Sequence, residues 1–158
     1  MSSATTALLR VKSKTVAAWL ALLGGPLGLH RFYLHGAGDL WGWLHPLPTA
    51  LGLWGLQRLQ TLGLDDRLSW LLLPLLGLQL AQTCLVAILC GLQTPERWNA
   101  CHNPGLAAED SAGSTRWSTI AAIVCALLLG ATALMSALAF SFERYYQDQV
   151  RAGLELSQ

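Results

Sequence analysis

The stretch from Leu68 to Pro95, LSWLLLPLLGLQLAQTCLVAILCGLQTP, is the longest run of this sequence without a charged residue. A helix that crosses a bilayer needs about 20 mostly apolar residues. This run meets that requirement, and so does a second run from Trp117 to Phe142. Both runs therefore predict membrane-spanning helices.

Two shorter charge-free runs come first, Thr15 to His30 and Leu40 to Gln57. Both are marginal in length for a span. We expect residues 32–34 to extend the first helix to the membrane interface while the Arg31 side chain snorkels. The second run contains two prolines, at positions 46 and 48, so its helix is expected to kink or to begin again around Thr49.

The composition agrees with a bilayer as the solvent. The chain is 53% hydrophobic and 12% charged, whereas soluble domains carry about 25% charged residues. The net charge of +1 leaves no basic excess for nucleic acid, and the hydrophobic weight excludes intrinsic disorder. The predicted fold class is an all-α integral membrane protein with four transmembrane helices.

The predicted organisation has four parts. These are a basic N-terminal tail (1–14), a helical hairpin (15–62), a second pair of transmembrane helices (68–142) with an intervening loop (93–116), and a C-terminal tail (143–158).

Four spans would place both termini on one side of the membrane. The basic residues predicted on that side are Arg10, Lys12, Lys14, Arg58, Arg67, Arg144 and Arg151. Those predicted on the other side are Arg31, Arg97 and Arg116. The positive-inside rule then predicts that the N and C termini are cytoplasmic.

A cleaved signal peptide is the alternative for the first run, because basic residues precede it. No small-x-small cleavage site follows the run, however, and residues 28–32 suit a signal peptidase poorly. The sequence favours an uncleaved, anchored helix.

Sparse polar residues in the third and fourth runs recur at helical spacing. They are Gln79, Gln82, Thr83, Thr132 and Ser136. Beside them lies a series of small residues, Ala122, Ala126 and Gly130. Such residues predict helix–helix contacts in lipid. The alternative is a polar translocation path, although no run contains an acidic residue to relay protons or bind cations.

The sequence shows no pattern for catalysis, cofactors or metals. It lacks the usual nucleophile, zinc-protease and phosphate-binding motifs. Three cysteines lie in predicted spans, and Cys101 lies in a loop directly beside His102 rather than at zinc-ligand spacing. We expect no enzyme activity, no cofactor and no metal site.

The 93–116 loop has its own character. Thr94-Pro95 predicts a helix start or turn on the membrane surface. The adjacent Arg97 and Trp98 are typical of an anchor to lipid headgroups, with a ligand or partner surface as the alternative. Residues 109–114 are expected to be flexible.

The most distinctive motif is Gly25-Pro26-Leu27-Gly28-Leu29-His30-Arg31-Phe32-Tyr33-Leu34. Its glycines permit close packing or a bend. Its polar and aromatic residues predict an ordered turn at the interface, with one cation facing lipid phosphates or backbone carbonyls. The candidate interaction residues are Gly28, His30, Arg31, Phe32 and Tyr33.

This motif resembles that of the TM-two domain family, a module of two transmembrane helices found in bacteria and animals. The resemblance covers residues 12–62. The matching positions are Lys14, Gly25, Gly28, His30, Arg31, Phe32 and Tyr33, followed by Gly52, Trp54 and Gly55 in the second helix. It implies that the first two helices form a TM-two-type hairpin.

Two positions depart from the family pattern. His35 stands where the family usually has glycine, and Arg58 stands where it often has an aspartate. Any role of that aspartate therefore does not transfer to this chain.

The resemblance implies a multi-pass membrane protein acting as a structural or protein-interaction module. The alternative is a small transporter or channel subunit that works as an oligomer. The expected partners are the lipid bilayer and either another membrane protein or further copies of the chain, in the bacterial cytoplasmic (inner) membrane. For Arg31 to Tyr33, fixing the turn is favoured over recognition by a partner.

Overall fold

The computed structural model describes residues 11–108 and 110–156. It is all-helical, with 83% helix and no strand in the described part of the chain. The helices are α1 (Lys14–Gly24), α2 (Leu29–His35), α3 (Leu40–Leu44), α4 (Pro46–Leu62), α5 (Arg67–Leu92), α6 (Pro95–His102) and α7 (Trp117–Leu156). Short 3₁₀ turns lie at Gly25–Leu27 and Ser111–Gly113.

Two helices, α5 and α7, are long and apolar enough to cross a membrane. Their most apolar windows have mean hydropathies of 2.0 and 2.3, with only 22% and 17% of those residues buried inside the molecule. A soluble protein would bury such surface in its core. The two longest charge-free runs of the sequence therefore do form long helices that leave most of their apolar surface uncovered.

Helix α5 is the centre of the bundle and packs against α1, α4 and α7. Small residues of α7 make its close contact with α5 possible: Ala122 and Ala126 are buried, and a Cβ on Gly130 would lie 2.7 Å from Cys84 Cβ. The predicted series of small residues thus lies at a helix–helix interface.

The first apolar run is not one helix. Helix α1 has 11 residues and ends at Gly24, where the chain enters the 3₁₀ turn that contains Pro26. Gly28 then takes the left-handed conformation, with φ 77° and ψ 11°, and α2 begins one residue later. Residues 32–34 were expected to extend the first helix, but they belong to this separate helix because Gly28 reverses the chain direction.

Helix α2 returns to the end of the bundle from which α1 started. The Ser13 backbone N–H donates to the Tyr33 hydroxyl at 2.8 Å, and Lys12 Nζ donates to the Leu34 carbonyl at 2.5 Å. At the same end, Lys14 Nζ donates to the Gln93 carbonyl. We call this the N-terminal end, and the α1–α2 pair enters and leaves the bundle there.

The second apolar run is helical on both sides of His45. Helix α3 ends at Leu44, and α4 begins at Pro46, three residues before the expected restart at Thr49. The reason is that a proline in the first turn of a helix gives up no hydrogen bond. From there α4 runs to the opposite end of the bundle, the far end, where Arg58 pairs with Asp66.

The two ends of the described chain lie at opposite ends of the bundle. Residues 12–14 contact residues near position 93 and position 115 at the N-terminal end. The last part of α7 lies at the far end, where Arg151 pairs with Asp65 at 3.2 Å. This arrangement does not support the expectation that both termini share one side, because the α1–α2 pair begins and ends at the same end of the bundle. Arg10, part of the predicted basic tail, lies outside the described residues.

Candidate functional site

The distinctive motif forms a tight turn that only glycine can make. A Cβ on Gly28 would lie 2.2 Å from the Gly42 carbonyl oxygen, and its φ of 77° is strained for other residues. A Cβ on Gly25 would lie 2.5 Å from Thr83 Cβ. The two glycines therefore allow the turn to pack directly against α3 and α5.

His30 points into the protein. It is 3% exposed, and its Nδ1 atom is buried without a hydrogen-bond partner. The His45 ring lies edge-on to it, with the ring centroids 5.3 Å apart. His45 Nδ1 lies 2.7 Å from the Trp41 carbonyl oxygen. His30 thus belongs to a pair of imidazoles. Its partner, His45, lies between α3 and α4 and is not part of the motif.

Arg31 pairs with a carboxylate of the chain itself. Its Nε donates to Asp39 Oδ2 at 2.5 Å, and its Nη2 donates to Asp39 Oδ1 at 3.2 Å. This two-point pairing lowers the pKa of the Asp39 carboxyl below its ordinary value. The cation was expected to face lipid phosphates or backbone carbonyls, but it bridges α2 to the start of α3.

The two motif aromatics also contact the chain. The Phe32 ring packs against Gly42, where an added Cβ would lie 2.5 Å from Phe32 Cε1. The centroids of the Phe32 and Trp43 rings are 5.2 Å apart. The Tyr33 hydroxyl accepts the Ser13 N–H bond. All five candidate residues thus take part in packing α1, α2 and α3 together.

A second turn at the far end repeats this arrangement. Arg58 Nε and Nη2 donate to the two carboxylate oxygens of Asp66 at 2.9 and 2.8 Å. Gly63 has φ 83°, as Gly36 has φ 88° in the first turn. Trp70 Nε1 donates to the Leu64 carbonyl at 2.8 Å. In the first turn Trp43 Nε1 donates to the Ala37 carbonyl at 2.9 Å.

The equivalent residues are separated by a constant 27 positions. We call residues 25–44 the first corner and residues 52–71 the second corner. Eight of their twenty aligned positions are identical, namely Gly25/Gly52, Gly28/Gly55, Leu29/Leu56, Arg31/Arg58, Gly36/Gly63, Asp39/Asp66, Trp43/Trp70 and Leu44/Leu71. The sequence analysis missed this internal repeat, and with it Asp39 and Asp66; it also missed His45, which follows the first corner. A comparison of the chain with itself would have found it.

The N-terminal end is tied together by the loop that was expected to face headgroups. Trp98 is 0% exposed, and its Nε1 donates to the Lys12 carbonyl at 2.7 Å. Asn103 Oδ1 accepts the Lys12 N–H at 2.7 Å. Trp98 is therefore not a headgroup anchor but a core residue beneath the loop. The segment expected to be flexible, residues 109–114, contains a 3₁₀ turn at Ser111–Gly113 that packs against Pro95. Glu109 lies outside the described residues.

Lys14 is the most deeply enclosed charge in this region. It is 0% exposed, and its Nζ donates to the Gln93 carbonyl at 2.8 Å and to Thr115 Oγ1 at 2.7 Å. One side chain thus joins the start of α1 to both ends of the 93–116 loop.

The polar residues predicted in the spans do not converge on one path. Gln79 Nε2 lies 3.5 Å from the His45 carbonyl, and Thr83 is buried against Gly25. Gln82, by contrast, is exposed in a groove of about 450 Å³ between α5 and α7. Thr132 and Ser136 are also exposed on α7. Within one chain, these five residues therefore form no continuous channel.

The cysteines are all free thiols: Cys84 and Cys90 are buried, while Cys101 and Cys125 are exposed. In the part of the chain that the structure describes, no three residues among His, Cys, Asp and Glu cluster closely enough to hold a metal.

Comparisons of this chain with family models, with curated proteins and with solved structures return no match.

Proposed function

We propose that this chain is a multi-pass membrane protein that acts as a structural or protein-interaction module of the bilayer. The observation that carries the proposal is the apolar surface that α5 and α7 leave uncovered. Leucines dominate that surface, including Leu71, Leu85, Leu89, Leu127 and Leu128. Lipid chains or the helices of another membrane protein would cover it at low cost.

The finer arrangement that we propose has three crossings and one re-entrant hairpin. The first crossing is made by α3 and α4 together, the second by α5 and the third by α7. The hairpin is α1 with α2, which starts and finishes at the N-terminal end. Irregular backbone at membrane depth is tolerated only where protein surrounds it. The turn at residues 25–28 meets this condition, since Thr83 and Gly42 pack directly against it.

We propose further that residues 12–62 form a TM-two-type module whose motif fixes the fold. Support comes from the motif's own contacts, because Arg31 is paired with Asp39 and Tyr33 with Ser13 inside the chain. Side chains already engaged in this way leave little for a partner to recognise. The surface offered to a partner is then the apolar outer face of the bundle.

The bacterial cytoplasmic membrane is the proposed location. The described basic residues divide almost evenly between the two ends of the bundle. Lys12, Lys14, Arg31, Arg97 and Arg116 lie at the N-terminal end, and Arg58, Arg67, Arg144 and Arg151 lie at the far end. With this division the positive-inside rule favours neither orientation, so the proposal concerns the number of crossings and not which end is cytoplasmic.

Cysteine labelling tests the proposal. Four crossings place the N terminus and the 93–116 loop on opposite sides of the membrane, whereas three crossings with a re-entrant hairpin place them on the same side. We would replace Cys84, Cys90 and Cys125 by serine, keep the exposed Cys101 as the loop reporter, and compare it with a Ser3→Cys, Cys101→Ser variant. An impermeant maleimide is applied to intact cells or spheroplasts and to lysed membranes.

We expect the Ser3→Cys and Cys101 reporters to react from the same side of the membrane. A Leu156→Cys reporter, in a chain whose four native cysteines are replaced by serine, should react from the other side. Labelling of Ser3→Cys and Cys101 from opposite sides would restore four crossings. Extraction of the protein by carbonate without detergent would overturn the membrane assignment itself.

A further inference from the structure

The two corners make the same turn, but the histidines in and just after the first have other residues at the equivalent positions of the second. His30 in the first corner is equivalent to Gln57 in the second. At the same spacing of 27, His45 and Thr49, which follow the first corner, are equivalent to Leu72 and Leu76, which follow the second. The second corner keeps its Arg–Asp pair and its tryptophan hydrogen bond without those polar groups. The turn therefore does not require the imidazoles, and their presence at the first corner needs another explanation.

The imidazole pair has an unusual arrangement for residues that serve packing alone. His30 Nδ1 is buried without a partner, and a buried polar atom that is left unpaired destabilises a fold. Among the described residues no carboxylate bonds either ring, and Asp39, the acidic residue nearest in sequence, is engaged with Arg31. The pair thus presents a nitrogen lone pair or N–H group that the protein itself leaves unused.

Ring positions and hydrogen bonding match two histidines that share one metal ion. Two imidazoles on a tetrahedral ion, each with a metal–nitrogen distance of about 2.0–2.1 Å, have ring centres about 5 Å apart. The observed centroid separation is 5.3 Å. Metal-binding histidines commonly donate their other N–H to a backbone carbonyl, which fixes the ligating nitrogen. The Trp41 carbonyl, 2.7 Å from His45 Nδ1, supplies that partner and leaves His45 Nε2 as the free lone pair.

We propose that His30 and His45 form a binding site for a divalent transition-metal ion of the Cu²⁺ or Zn²⁺ type. Imidazole ligands select these ions over Ca²⁺ and Mg²⁺. Water would complete the coordination, since His45 is only partly buried. The Arg31 cation beside the site is balanced by its two bonds to Asp39. Bound metal would join α2 to the junction of α3 and α4.

The second corner supplies matched variants for the test. His30→Gln and His45→Leu each introduce the residue found 27 positions later, Gln57 in the second corner and Leu72 directly after it, so both are expected to fold. His35→Gln and His102→Gln are the controls, because they remove the other two histidines of the chain and leave the pair intact. The full chain is purified without a histidine tag in detergent, and its melting temperature is checked for every variant.

Each protein is incubated with CuCl₂ or ZnCl₂ and desalted, and the bound metal is counted by mass spectrometry. Cu²⁺ samples are also examined by electron paramagnetic resonance for nitrogen ligands. We expect about one ion per chain in the wild type and in both controls, with nitrogen hyperfine structure from imidazole, and at least a tenfold loss of retained metal in His30→Gln and His45→Leu.

Three results would overturn the proposal. These are no metal retained by the wild type, undiminished retention in either pair variant, or an equal partial loss in all four variants, which would indicate scattered binding by surface histidines. A fold defect alone does not imitate the expected result, since the melting temperatures identify it.

Discussion

At the scale of single residues, the first corner depends on positions where no side chain fits. Gly28 combines a left-handed backbone with a contact at which a Cβ would approach the Gly42 carbonyl oxygen to 2.2 Å. This contact is with backbone and not with a movable side chain. The residue is therefore constrained both by its own conformation and by the neighbouring helix.

Gly28→Ala should consequently destabilise the protein by roughly 2 kcal/mol or more, because backbone strain alone costs about 1–3 kcal/mol. The measurement is thermal unfolding in detergent, followed by the loss of helical circular dichroism. Gly38→Ala is the control, since nothing lies within 4 Å of its added Cβ and its φ is outside the left-handed region. Equal melting temperatures for the two variants would contradict the role assigned to Gly28.

The sequence identified the motif residues but not what they contact. Glycine spacing and the His-Arg-Phe-Tyr run were sufficient to single out the turn. In the sequence, Asp39 simply precedes the charge-free run that begins at Leu40, and this position gives no indication of its pairing with Arg31. A charge next to an apolar run has the same appearance in sequence whether it meets lipid phosphate or a carboxylate eight residues away.

At the scale of the element, the corner is a unit that joins two helices in a fixed way. Its arginine, near the end of one helix, reaches across the turn to the aspartate that precedes the next helix. In the second corner Asp66 also accepts from the Ser69 backbone N–H and hydroxyl, so it caps α5 as well. One carboxylate thus holds both sides of the turn.

This predicts a pH-dependent effect of Asp66→Asn. Hydrogen bonds from Arg58 and then Ser69 hold the pKa of the Asp66 carboxyl below its ordinary value of 3.8. A carboxyl whose pKa is lowered by folding stabilises the fold above its unfolded pKa and loses that contribution as the pH falls through the folded pKa. Asp66→Asn should therefore lower the melting temperature at pH 7, and its difference from the wild type should shrink as the pH falls below about 4.

The control for this measurement is Asp148→Asn. Asp148 pairs with Arg67 at 3.1 Å on the exposed surface, and such pairs contribute about 0–1 kcal/mol. It should change the melting temperature less than Asp66→Asn at pH 7. A difference between Asp66→Asn and the wild type that stays constant from pH 7 to pH 3 would contradict the assigned role of the ion pair.

Element lengths were predictable from sequence to different degrees. The runs that became α5 and α7 were recognisable because few folds other than a membrane bundle tolerate so long an uncharged stretch. Hydropathy did not indicate that α1 ends at Gly24, since a short helix packed inside a bundle is as apolar as a long one. The hydrogen bonds of Lys14 to Gln93 and Thr115 fix where α1 starts in the bundle, and these partners lie 79 and 101 positions away in the chain.

At the scale of the whole molecule, Lys14 connects the α1–α2 hairpin to the rest of the bundle by hydrogen bonds. Lys14→Met removes its bonds to the Gln93 carbonyl and Thr115 hydroxyl while keeping the length of the side chain. Hydrogen bonds from charged groups are worth about 1.5–3 kcal/mol, and 1.4 kcal/mol corresponds to a tenfold change in equilibrium. We expect the hairpin to detach about tenfold more often.

Cys90 reports this detachment, because it is buried in a cluster with Ala17, Leu34 and Trp98. Its rate of reaction with a small thiol reagent in detergent should rise about tenfold in Lys14→Met, while the rates of the exposed Cys101 and Cys125 stay unchanged. Arg97→Met is the control, since Arg97 is an exposed cation at the same end of the bundle. An unchanged Cys90 rate would show that the hairpin is held by other contacts.

The docking of this hairpin has a consequence for biosynthesis. Its hydrogen-bonding partners, Gln93 and Thr115, lie 79 and 101 positions downstream of Lys14. The hairpin thus leaves the ribosome long before the surfaces that receive it have been translated. The surface against which it packs is complete only once α5 and the beginning of α7 have been made. The hairpin is therefore made before the residues that hold it and can be assembled onto them only afterwards, so until then Lys14 lacks both of its hydrogen-bonding partners.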